Sequence, residues 1–241
     1  MDGAAVQQIK DLALNNQVLE LNGKTFATGR FGVVEEPVKR PDYIGLSTLV
    51  SFVNFIKDSH ADLDLGYFVL INDDMEVKFL TGVSPEDSKR TLLAKASNDF
   101  KPFTFDQFLP SEVFNIMLQT RFVYEVKDAK ELFKTMKTLQ IDEGITLSDD
   151  GMTERVTVKR GMSAASASVE TVKTRMSLAP YRIFPECNQP VSDFLVRIKG
   201  DREQGAHVGL WETDGGMWKH QAKEIIFSKL RELGLTLPIY C

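Results

Sequence analysis

Cysteine is scarce in this chain. Cys187 and Cys241 are its two examples, and neither has a CxxC partner or a His/Cys set nearby, so neither a zinc site nor a disulfide framework is suggested. A reducing compartment is the expected setting. The three histidines, His60, His207 and His220, are too scattered in sequence to suggest a shared site, and a nucleophilic pairing of Cys187 with His207 has no flanking motif behind it. No apolar run of about 18 residues is present to span a membrane. Asp2, Lys10, Asp11 and Glu20 interrupt the stretch where a signal core would stand, so a cytoplasmic location is expected.

Dense basic arrays are missing too. With 29 basic against 34 acidic side chains the formal charge is −5, and the chain as a whole carries no nucleic-acid footprint. A modest cluster, Arg155, Lys159, Arg160, Lys173 and Arg175, lies between Asp150 and Ser177. Phosphate binding needs several such groups converging, so nucleic acid is not the favoured partner. A Walker-type GxxxxGK is absent, and Gly29-Arg30-Phe31-Gly32 is a weaker phosphate signal still. What is present is ordinary for a globular protein: 43% hydrophobic, 26% charged and 10% aromatic residues. A chain of this length buries roughly 70% or more of its unfolded surface, so the core needs no metal or disulfide, and no cofactor is expected.

Along the chain, Val6, Ile9, Leu12 and Ala13 predict a helix over Ala4 to Asn16. Two short runs around Asn22-Gly23 predict a tight hairpin, and Gly29 to Asp42 reads as a loop or linker. Ser47 reads as the cap of a helix carrying Leu49, Phe52, Val53 and Ile56. A second hairpin is expected around Asn72-Asp73-Asp74, with an apolar and therefore interior first strand. Ser84-Pro85-Glu86-Asp87 has the composition of a helix start, predicting a helix through about Ala96.

Phe100 to Val123 reads as core, with a helical pattern opening at Ser111. Ala129, Leu132, Phe133, Met136 and Leu139 form one stripe of a further helix, with lysines on its solvated side. A third hairpin is expected around 148–151, and the small-residue segment Gly161 to Ser168 reads as a loop. Strands are expected near Arg182 to Phe184, Asp193 to Lys199 and Ala206 to Glu212. A helix from about Met217 to Leu233, ended by Gly234, and a closing strand over Leu237 to Tyr240 complete the chain.

The pattern gives an α+β fold: antiparallel hairpins with helices packed on one side. Two helix-then-hairpin units, Ser47 to Thr81 and Asp128 to Lys159, suggest a weak internal duplication. The expected division is residues 1–42 as N-terminal helix, hairpin and linker, and 43–241 as the main domain, with a sub-boundary near 161–177.

Glu186, Glu212 and Asp214 are the carboxylates that could serve metal or acid/base chemistry. Asp214, standing before Gly215-Gly216 at a helix start, has a plainer role as a cap. Of Trp211 and Trp218, one is expected in the core.

The segment Leu178-Ala-Pro-Tyr-Arg-Ile-Phe-Pro-Glu-Cys-Asn-Gln-Pro190, then Phe194-Leu-Val-Arg-Ile198, then Gly209-Leu-Trp-Glu-Thr-Asp-Gly-Gly-Met-Trp218, resembles the C-terminal signature of the YfdQ-like family of phage and prophage proteins of unknown function. A looser likeness runs back through Thr48 to Val53 and Phe105 to Leu109. The resemblance implies a phage-encoded protein made in the host cytoplasm during infection, and it brings no catalytic residues. Its positions Pro180, Tyr181, Arg182, Phe184, Glu186, Gln189, Pro190, Glu212, Asp214, Gly215, Gly216 and Trp218 mark either a binding site or a fold-defining corner.

The expectation is a non-enzymatic, homo-oligomeric binding protein. It would serve phage replication and recombination, or block a host defence by binding that system's protein or nucleotide signal. The alternatives are a metal-assisted hydrolase using Glu186, Glu212 and Asp214, and a structural assembly protein.

Overall fold

The computed structural model describes residues 3–4, 18–21, 24–27, 32–33, 39–58, 66–139, 146–148, 155–160, 168–201 and 205–241, with side chains over 39–58, 66–136, 173–199 and 206–241. The expected helix beyond Ala4, His60, and the loop at 161–167 lie outside these residues. The fold is α+β and divides into two units, residues 1–41 with 85–88, and residues 42–84 with 89–241.

In the first unit, β1 (Val18–Leu21) and β2 (Lys24–Ala27) pair antiparallel with Leu21 opposite Lys24. Two residues, Asn22-Gly23, therefore connect them, as the sequence predicts. The stretch read as a loop also contributes β3 (Gly32–Val33), which pairs with the other edge of β2. Arg40 Nη2 donates to the Asp87 carboxylate within this unit.

The second unit holds a five-stranded sheet in the order β15-β5-β6-β7-β4. Its strands are β4 (Ile44–Leu46), β5 (Phe68–Ile71), β6 (Val77–Leu80), β7 (Leu92–Ala96) and β15 (Ile239–Tyr240). The second predicted hairpin is β5–β6, and β5 is interior as expected. Helices α1 (Leu49–Asp58) and α4 (Trp218–Glu232) cover one face. Alternation along the strands sends Val69, Ile71, Val77, Phe79, Ala94 and Ala96 to the same core as Phe52, Val53, Ile226 and Leu230.

Three local expectations are corrected here. Residues 84–90 form a turn and 92–96 form β7, not a helix: Ser88 takes a positive φ of 56° that breaks any helix, and the free edge of β6 captures Leu92 to Ala96. The α1 cap is Thr48 rather than Ser47, since Thr48 Oγ1 accepts from Ser51 N–H at 3.1 Å. Arg182 to Phe184 is irregular, because the Gln189 side chain accepts from the Arg182 and Ile183 N–H groups and donates to the carbonyls of Ile183, Phe184 and Cys187. One amide thus satisfies the backbone groups that a neighbouring strand would otherwise take.

The same unit contains a four-stranded antiparallel sheet in the order β12-β13-β14-β8. Its strands are β8 (Leu109–Pro110), β12 (Arg175–Leu178), β13 (Ser192–Asp201) and β14 (Gly205–Glu212). Helices α2 (Ser111–Arg121) and α3 (Lys127–Leu139) pack on one face. Met176, Leu178, Phe194, Val196, Ile198, Val208 and Leu210 meet Phe114, Leu118, Leu132 and Met136 there, in a core of their own. Ala129, Leu132, Phe133 and Met136 of the α3 stripe are buried as predicted, the Leu139 side chain lying outside the described ones, and Lys130 and Lys134 are exposed.

A third sheet, β11-β10-β9, joins β9 (Thr146–Ser148), β10 (Arg155–Arg160) and β11 (Ser168–Lys173). The third predicted hairpin is thus present, its loop lying outside the described residues. The two helix-then-hairpin units share their element order but not their pairing. β5–β6 sits between β15 and β7, whereas β9–β10 continues to β11.

Candidate functional site

Arg182 is the centre of the residues singled out from sequence. Gln189 fixes its backbone, and the side chain crosses to the end of the four-stranded sheet. There Nη2 lies 2.7 Å from Glu212 Oε1 and Nη1 donates to Ser192 Oγ at 3.0 Å. Three rings surround the guanidinium, with their centroids 4.2 Å (Trp218), 5.1 Å (Phe105) and 5.6 Å (Phe194) away. Phe194 belongs to the α2/α3 core and Phe105 packs against it, whereas Trp218 packs against the α1/α4 core. One cation therefore joins the two cores. Burial pulls the Arg182 pKa down, and Glu212 followed by Asp214 pushes it back up. Guanidinium stays charged even so.

The remaining named residues are equally committed. Trp218 Nε1 donates to Glu212 Oε2 at 3.2 Å, and Gly216 N–H donates to Asp214 Oδ1 at 2.9 Å. With φ of 65° and 84° at Gly215 and Gly216, the chain makes the reversal into α4 that a side chain at either position would strain. Asp214 thus closes the turn that leads into α4 rather than capping the helix, whose N-cap position is Met217 with no side-chain cap. Tyr181 stacks on Phe100 with centroids 5.1 Å apart.

Glu186 stands apart from this cluster. Its Oε1 accepts from the Leu49 and Val50 N–H groups at 2.6 and 3.3 Å, which caps α1; Oε2 is buried without a hydrogen-bond partner among the described residues. Glu186, Glu212 and Asp214 therefore do not form one acid/base or metal set. Among the described residues no three His, Cys, Asp or Glu side chains are grouped to hold a metal.

The Cys187–His207 pairing is also absent. Cys187 lies in the α1/α4 core, while His207 lies on β14 opposite Lys199. Burial, then Glu186, pushes the Cys187 thiol up to about 11, the reverse of an activated nucleophile.

A second arrangement was not legible from the sequence. The face of the four-stranded sheet turned away from α2 and α3 carries the alternate residues of each strand. These are Arg175 and Ser177 on β12, Asp193, Leu195, Arg197 and Lys199 on β13, and His207, Gly209 and Trp211 on β14. Register places Arg175, Leu195 and Trp211 in one row, Arg197 opposite Gly209, and Lys199 opposite His207.

Lys173, at the end of β11, belongs to the neighbouring sheet, where Arg155 stands opposite it in the β10–β11 ladder. Arg175 and Lys199 are exposed, and Lys173 is half exposed at 50%. All four helices of the described residues pack on other faces.

The ring on this face is placed by a glycine. A Cβ at Gly209 would lie 2.6 Å from Trp211 Cη2 and 2.6 Å from the Gln107 carbonyl oxygen. Only Gly lets the indole lie flat along β14. Phe108 meets Trp211 edge-on at 5.0 Å, and Lys199 Nζ sits 4.4 Å from the Phe108 centroid. The carboxylate of Asp193 accepts from Ser177 Oγ at 2.6 Å. Trp218 is thus the tryptophan tied to a core, and Trp211 the one on the open face.

Lys173 is held by Asp128 in the first turn of α3. Asp128 Oδ2 lies 3.1 Å from Lys173 Nζ and accepts the Ser177 N–H at 2.8 Å. Burial alone would raise this carboxyl, but the Ser177 N–H and then Lys173 outweigh it, and its pKa lies below 3.8. A carboxylate whose folded pKa is depressed adds stability that is full above its unfolded value of about 4 and is lost as pH falls through the folded value. Asp128→Asn is therefore expected to flatten the acid limb of stability below about pH 4, read as urea midpoints across the acid range. An unchanged limb would contradict the assignment.

No helix among the described residues is long and apolar enough to cross a membrane. A scan against family models finds no match for the chain, and searches of curated proteins and of solved structures find none either.

Proposed function

We propose that this chain is a non-enzymatic binding protein acting during phage infection, as an accessory of replication and recombination or an antagonist of a host defence system. One observation carries the binding part. The side chains with chemical potential are each engaged structurally, Arg182 by Glu212 and three rings, Glu186 by α1, Asp214 by its own turn and Cys187 by burial. No helix among the described residues lies over a cationic, ring-bearing sheet face of the same unit.

Unpaired faces of this kind serve recognition in sheet-based binding modules. The placement in phage infection rests on the resemblance of 178–190, 194–198 and 209–218 to YfdQ-like proteins. Self-association fits the same reading, since β4 and β15 are the edge strands of the five-stranded sheet, with Ile44 and Tyr240 exposed on them.

Native mass spectrometry of the purified chain tests this. A stoichiometric retained molecule or a defined oligomer is the expected result. Metal-dependent hydrolysis of an ester or phosphodiester, lost in Asp214→Asn while the fold persists, would overturn the reading in favour of an enzyme. Large regular particles would instead show an assembly protein.

A further inference from the structure

We infer that the open face of the four-stranded sheet binds single-stranded DNA. This rests on the binding reading above and names its ligand. Strand pairing gathers Arg175 from β12 with Arg197 and Lys199 from β13 onto one face. The acidic side chain described on that face, Asp193, is engaged by Ser177. In a chain of net charge −5, this segregation is a local reversal of sign.

Three cations along adjacent strands match the charge of a phosphate backbone. Trp211, held flat against Gly209, offers a ring plane to a base, and Phe108 beside it carries the Lys199 ammonium over its ring. A flat surface that supplies ring planes needs unstacked bases, which a duplex does not present. Sheet-face stacking with a cationic border therefore favours a single strand over a double one. Recognition of RNA over DNA requires a group that reads the 2′-hydroxyl. Asp193 and the Ser177 hydroxyl on this face are bonded to each other, and the ring planes and cations beside them fit DNA.

Fluorescence anisotropy of the full chain with a labelled oligothymidine at low salt tests the inference. The wild type is expected to bind, and Arg175→Glu combined with Arg197→Glu to weaken binding by more than about tenfold, as loss and reversal of phosphate contacts require. Trp211→Ala is expected to weaken it about fivefold to a hundredfold through lost stacking. Because Trp211 also packs on Phe108, Trp211→Phe serves as the partner variant that keeps a ring and retains binding. Lys199→Glu, at an exposed position, repeats the charge test at the cation that lies over Phe108.

Binding that survives both charge reversals overturns the face. Tighter binding to duplex or to oligouridine overturns the ligand. No oligonucleotide binding, with a protein held through Arg175 and Arg197 instead, overturns the ligand and leaves the binding reading standing; no partner of any kind removes both.

Discussion

Arg182→Ala is expected to destabilise the second unit by about 3–5 kcal/mol, the range for removing one partner of a buried ion pair. The side chain is 9% exposed and its partner Glu212 24%, so the substitution strands a carboxylate in surroundings that desolvate it. It also empties the space between Trp218, Phe105 and Phe194, and leaves Ser192, itself buried, without its donor. Arg182→Lys is expected to recover less than half of the loss, because an ammonium cannot fork between Glu212 and Ser192 as the guanidinium does. Urea denaturation checks both variants. A loss under about 1 kcal/mol for Arg182→Ala would show that the guanidinium joins nothing.

Phe194→Ala is expected to cost a similar 3–5 kcal/mol. Phe194 is fully buried in the α2/α3 core, and Phe105 stacks on it at 5.3 Å and 14°. The two losses should not add. Arg182 lies against both rings, so the double variant is expected to fall short of the sum by about 0.5–3 kcal/mol, the range for residues in direct contact. Strict additivity in a double-mutant cycle would mean that the cation and the rings act independently, contrary to the geometry.

The legible part of the fold was the part written in local pattern. The β1–β2 hairpin, the stripe Ala129 to Met136, the Asp214-Gly-Gly turn and Gly234 all rest on signals within a few residues, and each stands where the sequence puts it. Ser84 to Ala96 failed for the opposite reason. Its proline and acids are good helix-start residues, but β6 offers a hydrogen-bonding edge whose claim on Leu92 to Ala96 is not recorded in those residues. Arg182 to Phe184 failed because a single side chain, Gln189, replaced a partner strand.

The site followed the same division. That Arg182, Glu212, Asp214 and Trp218 belong together was visible in the C-terminal segment, whereas Glu186 looked like their companion and instead caps a helix more than a hundred residues earlier. The cationic face was not visible, since Arg197 and Lys199 alternate with buried Val196 and Ile198 and read as the ordinary polar side of a strand. Register with β12 is what sets them beside Arg175. The flattened Trp211 depends on the absence of a side chain at Gly209, two residues away on the same strand, a signal that period-two alternation conceals.

The most direct test of the account is the salt dependence of oligothymidine affinity, compared between the wild type and Arg175→Glu/Arg197→Glu. Three phosphate-contacting cations predict a slope of log affinity on log salt of roughly −2 for a single strand. The charge-reversed chain should show a much shallower slope or none. An identical slope in both proteins would contradict the claim that this sheet face is the binding surface.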